Sequence, residues 1–420
     1  MKELNSGLAK VFKYAIVVNL ALTVLYASNQ FYTVGVSQNV KSAVQARSAE
    51  EVSIPIPITK TFAEHQFVWT TADGRSTDIP EGHVVSKLFS DTLGTPKIMP
   101  FFFRAEGVVN AQDITIATLV TGDRFPVLSR LASHYQGPIS AAIHINDNDK
   151  DDILKQLRDA YAANPDMQKH VDVHVILDRY ERQFNMWRNI AKLFMRTDFL
   201  TMLDVDFYLC TDFRNSILSN RDILAKLGSG NTALVIPAFE YVNHKDGFDS
   251  SRFPRNKRDL LEIIPDKIDM FHKLWSRGHG STNYSRWHDA EEIYKVDEYN
   301  HSYEPYIVFK KDESPWCDER FIGYGANKAA CLYELYLSGV DYYVLPNDFL
   351  IHQNHDYPEK ERTRERRYNR KIYDNFREEV CLRYARRFIA DGIWNTSKAD
   401  NLKSQCSKIR NFGKTLEFLL

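Results

Sequence analysis

From Asp113 onward the sequence alternates between two periods, and that alternation limits the folds open to it more than any other feature. "ITIATLV" (Ile114–Val120) is a β-rich apolar run, and "RFPVLSRLASHY" (Arg124–Tyr135) comes next with apolar residues at helical spacing. "ISAAIHI" (Ile139–Ile145) reads as a second strand, and "DKDDILKQLRDAYAA" (Asp149–Ala163) as a helix whose acidic residues face its positive end. "VDVHVIL" is a third strand, "MWRNIAKLFMR" a helix, and "FLTMLDVDF" (Phe199–Phe207) a fourth strand; "TALVIPAFEY" (Thr232–Tyr241) reads as one more. Strands and helices in this order predict an α/β fold with a mostly parallel central sheet covered on both faces. No repeat or low-complexity segment interrupts the pattern, which places one α/β domain over residues 111–420.

Before that domain the pattern differs. "VFKYAIVVNLALTVLYA" (Val11–Ala27) is apolar except for Lys13, Asn19 and Thr23, with Lys2 and Lys10 ahead of it. Its length fits a signal sequence, and no small-x-small cleavage site comes after it, so the expectation is an uncleaved signal anchor behind a cytosolic tail at residues 1–10. A cleaved signal peptide is the alternative. Residues 28–110 read as a stem and lead-in: "EVSIPIPITK" alternates proline with apolar residues, and "FFFRAEG" is apolar enough to pack on the α/β domain. Either export route places the remainder in the secretory lumen. The sequons at Asn283, Asn300 and Asn395 agree with that placement. Five cysteines without a CxxC pair argue against structural zinc; Cys317 with Cys331, and Cys381 with Cys406, are pairs that an oxidising compartment allows.

A net charge of −1 provides no overall field for nucleic acid, which is excluded as a partner. The basic stretch "KERTRERRYNRK" (Lys360–Lys371) is broken by glutamates and reads as a solvated helix face.

Three stretches carry chemistry. Asp204 and Asp206 lie two apart in an apolar run, so in an extended strand they share a face near its C-terminal end, where open α/β sheets bind ligands. Two adjacent carboxylates repel unless a cation joins them, and hard oxygen ligands suit Mg2+ or Mn2+. A D-x-D alone is common, so a structural pair stabilised by a cationic side chain or backbone donors stays open. "LIHQNH" contributes His352, next to a strand, and His355; an imidazole beside two aspartates completes a manganese-type site, and His355 could instead face a phosphate or the acceptor. In "WCDERFIGYGANK" (Trp316–Lys328), Asp318 and Glu319 either cap a Gly-flanked turn or present a general base.

Taken together, "GPISAAIHIND", "RNIAKLFMRTDFLTMLDVDF", "LVIPAFE", "GHGSTNYSRW", "EPYIVFKKD", "DERFIGYGANK" and "VLPNDFLIHQNH" resemble, in the same order, the motifs of glycosyltransferase family 49. That family includes the second catalytic domain of LARGE-type enzymes and the β-1,4-glucuronyltransferase of dystroglycan glycan synthesis. The resemblance implies a GT-A fold that binds a nucleotide sugar, a single-pass type II Golgi membrane topology, and inverting transfer from a UDP-sugar to a glycan acceptor. UDP-glucuronic acid is the expected donor, and a homodimer is the assembly left open. It also implies Asp204, Asp206 and His352 as ligands of Mn2+ (or Mg2+), Arg188, Asn189 and Asp204 as donor contacts, and Asp318 as catalytic base. Trp287 could stack on an acceptor sugar or sit in the core. Arg124, Lys245, Arg277 and Arg286 are candidate partners for a donor carboxylate. An inactive lectin-like or chaperone subunit and a nucleotide-sugar hydrolase are the competing readings.

Overall fold

The computed structural model describes residues 66–70, 75–355 and 359–417. The chain divides into two units, Met1–His65 and Gln66–Leu420; the expected tail, signal anchor and first part of the stem lie outside the described residues. Among the described residues no helix is long and apolar enough to cross a membrane.

In chain order the second unit opens with a hairpin, β1 (Gln66–Thr70) antiparallel to β2 (Ser76–Pro80), and then β3 (Lys97–Phe103). Then come β4 (Ile114–Val120), α1 (Phe125–Tyr135), β5 (Ile139–Asn146), α2 (Lys150–Ala163), β6 (Val171–Asp178), α3 (Phe184–Phe194) and β7 (Phe199–Met202). The chain continues through β8 (Phe207–Leu209), β9 (Thr232–Ile236), β10 (Ala238–Tyr241), β11 (Ile268–Met270), α4 (Tyr284–Asp289), β12 (Tyr294–Lys295) and β13 (Tyr306–Lys310). It ends with α5 (Asn327–Leu337), β14 (Asp341–Val344), β15 (Leu350–His352) and the long α6 (Glu359–Ala390), trailed by short helices.

Nine strands form one sheet in the order β12-β14-β9-β13-β7-β4-β5-β6-β3. The run β7-β4-β5-β6 is parallel, as the alternating pattern requires, and so is β14-β9. β13 is antiparallel to both β7 and β9, and the edge strands β3 and β12 are antiparallel too. The sheet is therefore mixed rather than mostly parallel. The reversal comes from "YIVFK", which enters between two strands without a crossover helix. β3 lies within the segment read as stem and lead-in, yet it is an integral edge of this sheet.

Strand side chains alternate between two cores, as period 2 demands. Ala117, Ala142, Ile176 and Leu200 join the core under α3, α5 and α6, and their neighbours Ile116, Ile143, Val175 and Phe199 join the one under α1. Two disulfides pin the α3 side: Cys317–Cys331 ties the loop before α5 to that helix, and Cys381–Cys406 ties α6 to the helix after it. Cys210 is a buried free thiol.

A second, four-stranded sheet runs β11-β10-β15-β8. Two sequence runs that read as single strands, and the apolar run that leads into His352, each begin in the large sheet and end in the small one. "FLTMLDVDF" breaks at Leu203–Asp206 into β7 and β8, "TALVIPAFEY" breaks at Pro237 into β9 and β10, and "YYVLPNDFLI" breaks around Pro346 into β14 and β15. Proline has no N–H to give a ladder, which accounts for the second and third breaks. In the first, a turn closes as the Phe207 N–H donates to the Asp204 carbonyl at 3.1 Å. The D-x-D therefore lies in the seam between two sheets and not on one face of a strand.

Candidate active site

The seam gathers its residues from all three breaks. β15 pairs antiparallel with β8, setting His352 opposite Phe207, one residue after Asp206. Asp206 Oδ2 is 2.7 Å from His355 Nε2 and 3.6 Å from His352 Nε2. Ligand atoms of Asp206, His352 and His355 all lie within 4.8 Å of one another, a spacing that suits one metal ion. His352 is buried, packed between the rings of Phe207 and Phe271, each centred 5.1 Å away. Its Nδ1 lies 3.2 Å from Asn354 Oδ1, and Asn354 Nδ2 in turn donates to the His244 carbonyl at 2.8 Å. A fixed partner on the far nitrogen orients an imidazole for ligation through the other. Burial opposes ionisation of Asp206, but the two histidines outweigh it and hold the carboxyl below its usual range.

Asp204 lies outside that trio. Its Oδ2 accepts from the Tyr306 hydroxyl at 2.7 Å and from Lys328 Nζ at 3.3 Å, and its Oδ1 is 3.6 Å from Arg188 Nη2. Burial pushes its pKa up, and Lys328 and Arg188 more than reverse this. Lys328 Nζ also sits 3.2 Å from the centre of the Tyr306 ring, a cation–π contact. Burial lowers the Lys328 pKa, with Asp204 working against that shift. Arg188 is fixed from α3 by donating to Asn185 Oδ1 and Asn327 Oδ1 at 2.9 and 2.7 Å. Beside Lys328 and Arg188 stands Glu304, whose pKa burial raises. On β10, one residue past the Phe239–Ile351 register pair, Glu240 accepts the His272 N–H at 2.8 Å; burial raises its pKa, and its charge acts on His352.

The loop expected to carry the base is stapled to α3. Asn185 Nδ2 donates to the carbonyls of Asp318 and Asn327, and Asn189 exchanges hydrogen bonds with the Cys317 backbone while donating to Glu319 Oε1 at 2.7 Å. Asn189, expected as a donor contact, is thus a buried loop clamp. The Asp318 carboxylate is gripped by Arg320, whose Nε lies 3.0 Å from both oxygens. Gly323 has φ +82°, and a Cβ there would come within 2.4 Å of Glu365 Cδ, so α6 closes directly over the loop.

Glu319 is buried, which lifts its pKa to about 7 against the Asn189 hydrogen bond. A carboxyl raised in the folded state stabilises the fold below its unfolded pKa, and that contribution is lost as pH climbs through about 7. Glu319→Gln keeps the Asn189 contact and cannot ionise. Urea unfolding should show the variant level with the wild-type protein at pH 4.5 and more stable at pH 8, by about 3 kcal/mol. Parallel stability curves from pH 4.5 to 8 would refute this.

Trp287 belongs to the core: it is buried, and its indole N–H donates to the Leu345 carbonyl at 3.0 Å. Of the candidate carboxylate partners, Arg286 pairs with Asp297 and Arg124 with Asp123, Lys245 is exposed in a short turn, and Arg277 lies beside the exposed Trp275. Sequence reasoning did not assign Lys328, Tyr306, Glu304 or Glu240. Lys328 closes the "DERFIGYGANK" motif, but nothing in the sequence sets it apart from any other lysine at the start of a helix.

Residues 113–183 and 178–385 match a family model described as the glycosyl-transferase for dystroglycan. The xylosyl- and glucuronyltransferase LARGE2s of Danio rerio is 33% identical over 251 residues, 58% of this chain and 32% of its own length. LARGE1 of Homo sapiens, a xylosyl- and glucuronyltransferase, is 30% identical over 264 residues, 60% of this chain and 32% of its own. This chain's match spans about a third of the length of those curated relatives. Among solved structures, TarS 1–349 of S. aureus aligns at TM-score 0.37 and 10% identity over 71% of this chain and 74% of that one, too loosely to bear on mechanism.

Proposed function

The chain belongs to glycosyltransferase family 49, and on that premise we propose that it transfers a sugar, glucuronic acid, from a UDP donor to a hydroxyl of a glycan acceptor, with inversion and with Mn2+. The observation that carries this reading is the convergence of Asp206, His352 and His355 in the seam, next to two buried cations. One carboxylate oxygen and two imidazole nitrogens suit Mn2+. When bound, the metal supplies a Lewis acid for the donor diphosphate. Lys328 and Arg188 add fixed positive charge where the leaving UDP develops negative charge, and because they are held in advance they cost little reorganisation.

The resemblance points to Asp318 as base, yet its carboxylate is committed to Arg320. Glu240 is the alternative proton acceptor: β10 runs parallel to β15 with Phe239 opposite Ile351, which sets Glu240 beside His352, and burial raises its pKa. A GT-A-type fold is consistent with the mixed sheet and its seam. The two disulfides fit an oxidising lumen, in line with a Golgi type II enzyme anchored through residues 11–27.

The test is a panel of UDP-sugars given to the protein with and without Mn2+, read by product mass. UDP-glucuronic acid with Mn2+ should give UDP release that rises when a glycan acceptor is added. No turnover of any donor would sink the enzyme reading and leave a lectin-like subunit. Free-sugar release indifferent to acceptor would make it a hydrolase. In the same assay Glu240→Gln should cost about 10²-fold or more, and a larger loss with Asp318→Asn would return the base to Asp318.

A further inference from the structure

Among the described residues exposed aromatic side chains are few, and two of them stand within a few residues of the seam. Trp275 and Phe248 are each 53% exposed. Phe271 packs its ring on His352 and stacks on His272 at 3.8 Å, and the chain then turns, the Trp275 N–H donating to the His272 carbonyl at 2.7 Å. Three residues reach at most about 10 Å, so Trp275 starts within one or two sugar lengths of His272, whose own N–H is held by Glu240. The indole is supported from one side: a Cβ on the buried Gly278 would lie 3.2 Å from Trp275 Cδ1. Phe248 comes directly after Gly247, whose carbonyl accepts the Asn354 N–H at 3.1 Å between the two histidines of the trio, and its ring meets His244 edge-on at 5.1 Å.

A rigid exposed indole offers a flat apolar face with little entropy to lose, which suits the C–H face of a pyranose. Arg277 reaches over the edge of that ring, its guanidinium 5.9 Å from the Trp275 ring centre, exposed and in no salt bridge among the described residues. Cation and ring together fit a sugar that carries its own negative charge.

We propose that Trp275 and Arg277 form an acceptor subsite for a uronic-acid pyranose, its ring on the indole and its carboxylate on the guanidinium, with Phe248 as a second apolar contact. The proposal rests on the transferase reading above, since it places the acceptor chain beside Glu240 and the trio. It also moves the sugar platform from Trp287, which is buried, to a tryptophan that the sequence motifs did not mark.

The test titrates the protein with methyl β-glucuronide and methyl β-xyloside, with Mn2+ and UDP present, and reads binding by saturation-transfer NMR. The glucuronide should bind the wild-type protein more tightly than the xyloside. Trp275→Ala should weaken both about tenfold, and Arg277→Gln should weaken only the glucuronide, by about fivefold. Leu274→Ala, which removes a fully exposed neighbour, should change neither; an equal loss there would reduce the patch to nonspecific apolar surface and overturn the proposal. Unchanged binding in both variants, or no glucuronide binding by the wild-type protein, would also overturn it. Metal-dependent UDP release by the wild-type protein is measured in parallel. Its absence with Trp275-dependent glucuronide binding intact refutes the transferase reading but not the subsite.

Discussion

Asp206→Asn should abolish high-affinity Mn2+ binding and lower sugar transfer by roughly 10³-fold or more, since it removes the single anionic ligand of the trio. Asp206 stands between two imidazoles, 2.7 Å from His355 and 3.6 Å from His352. An amide retains the shape but gives the metal no charge, and its NH2 can point a donor at nitrogens that must themselves donate lone pairs. The loss extends to His352. Burial lowers that imidazole's pKa and Asp206 raises it, so without the carboxylate the ring also loses the partner that orients its Nε2. The fold should survive, because among the described residues Asp206 pairs with histidines and with no lysine or arginine of the kind Asp204 holds. Mn2+ titration by electron paramagnetic resonance, with circular dichroism as the control for folding, checks both halves. Wild-type affinity in a folded Asp206→Asn protein would remove the trio as the metal centre.

Much of this arrangement was legible from the sequence, and the limits of that reading have physical causes. The alternation from Asp113 gave the parallel run β7-β4-β5-β6, because there each strand leads into a helix that must return the chain to the same edge. β13 could not be placed that way: a short apolar run carries no direction, and only tertiary pairing sets it antiparallel between β7 and β9. The two disulfide pairs considered from the sequence both form. The D-x-D was visible, but the period-2 argument that put both aspartates on one face presumed a continuous strand, and the strand ends at Met202. Its two carboxylates consequently differ in company, one with histidines and one with cations. His355 was visible too, yet spacing alone could not rank it with His352; the turn through Asn354 brings both to Asp206. Lys328 and Tyr306 left no pattern, since a lysine under an aromatic ring at the mouth of a helix looks like any other lysine until the fold encloses it.

That difference in company yields the second large effect. Asp204→Asn should retain Mn2+ binding and lose stability, the reverse of what a metal ligand would do. The change leaves Lys328 and Arg188 buried with only Glu304 beside them; because the Asp204 side chain is 34% exposed, the loss should fall below that of a fully buried pair, at about 2 kcal/mol. Part of the cost is relieved when Lys328 sheds its proton, since burial already lowers its pKa and Asp204 is the largest influence keeping it charged. A neutral Lys328 would no longer offset the charge of a departing diphosphate, so transfer should fall by about 10²-fold even where the metal is bound and the protein folded. Urea unfolding gives the first quantity, and Mn2+ titration with turnover at saturating metal gives the others. Loss of Mn2+ affinity in Asp204→Asn, without the drop in stability, would put Asp204 back among the metal ligands and make its pairing with Lys328 an arrangement that the metal displaces.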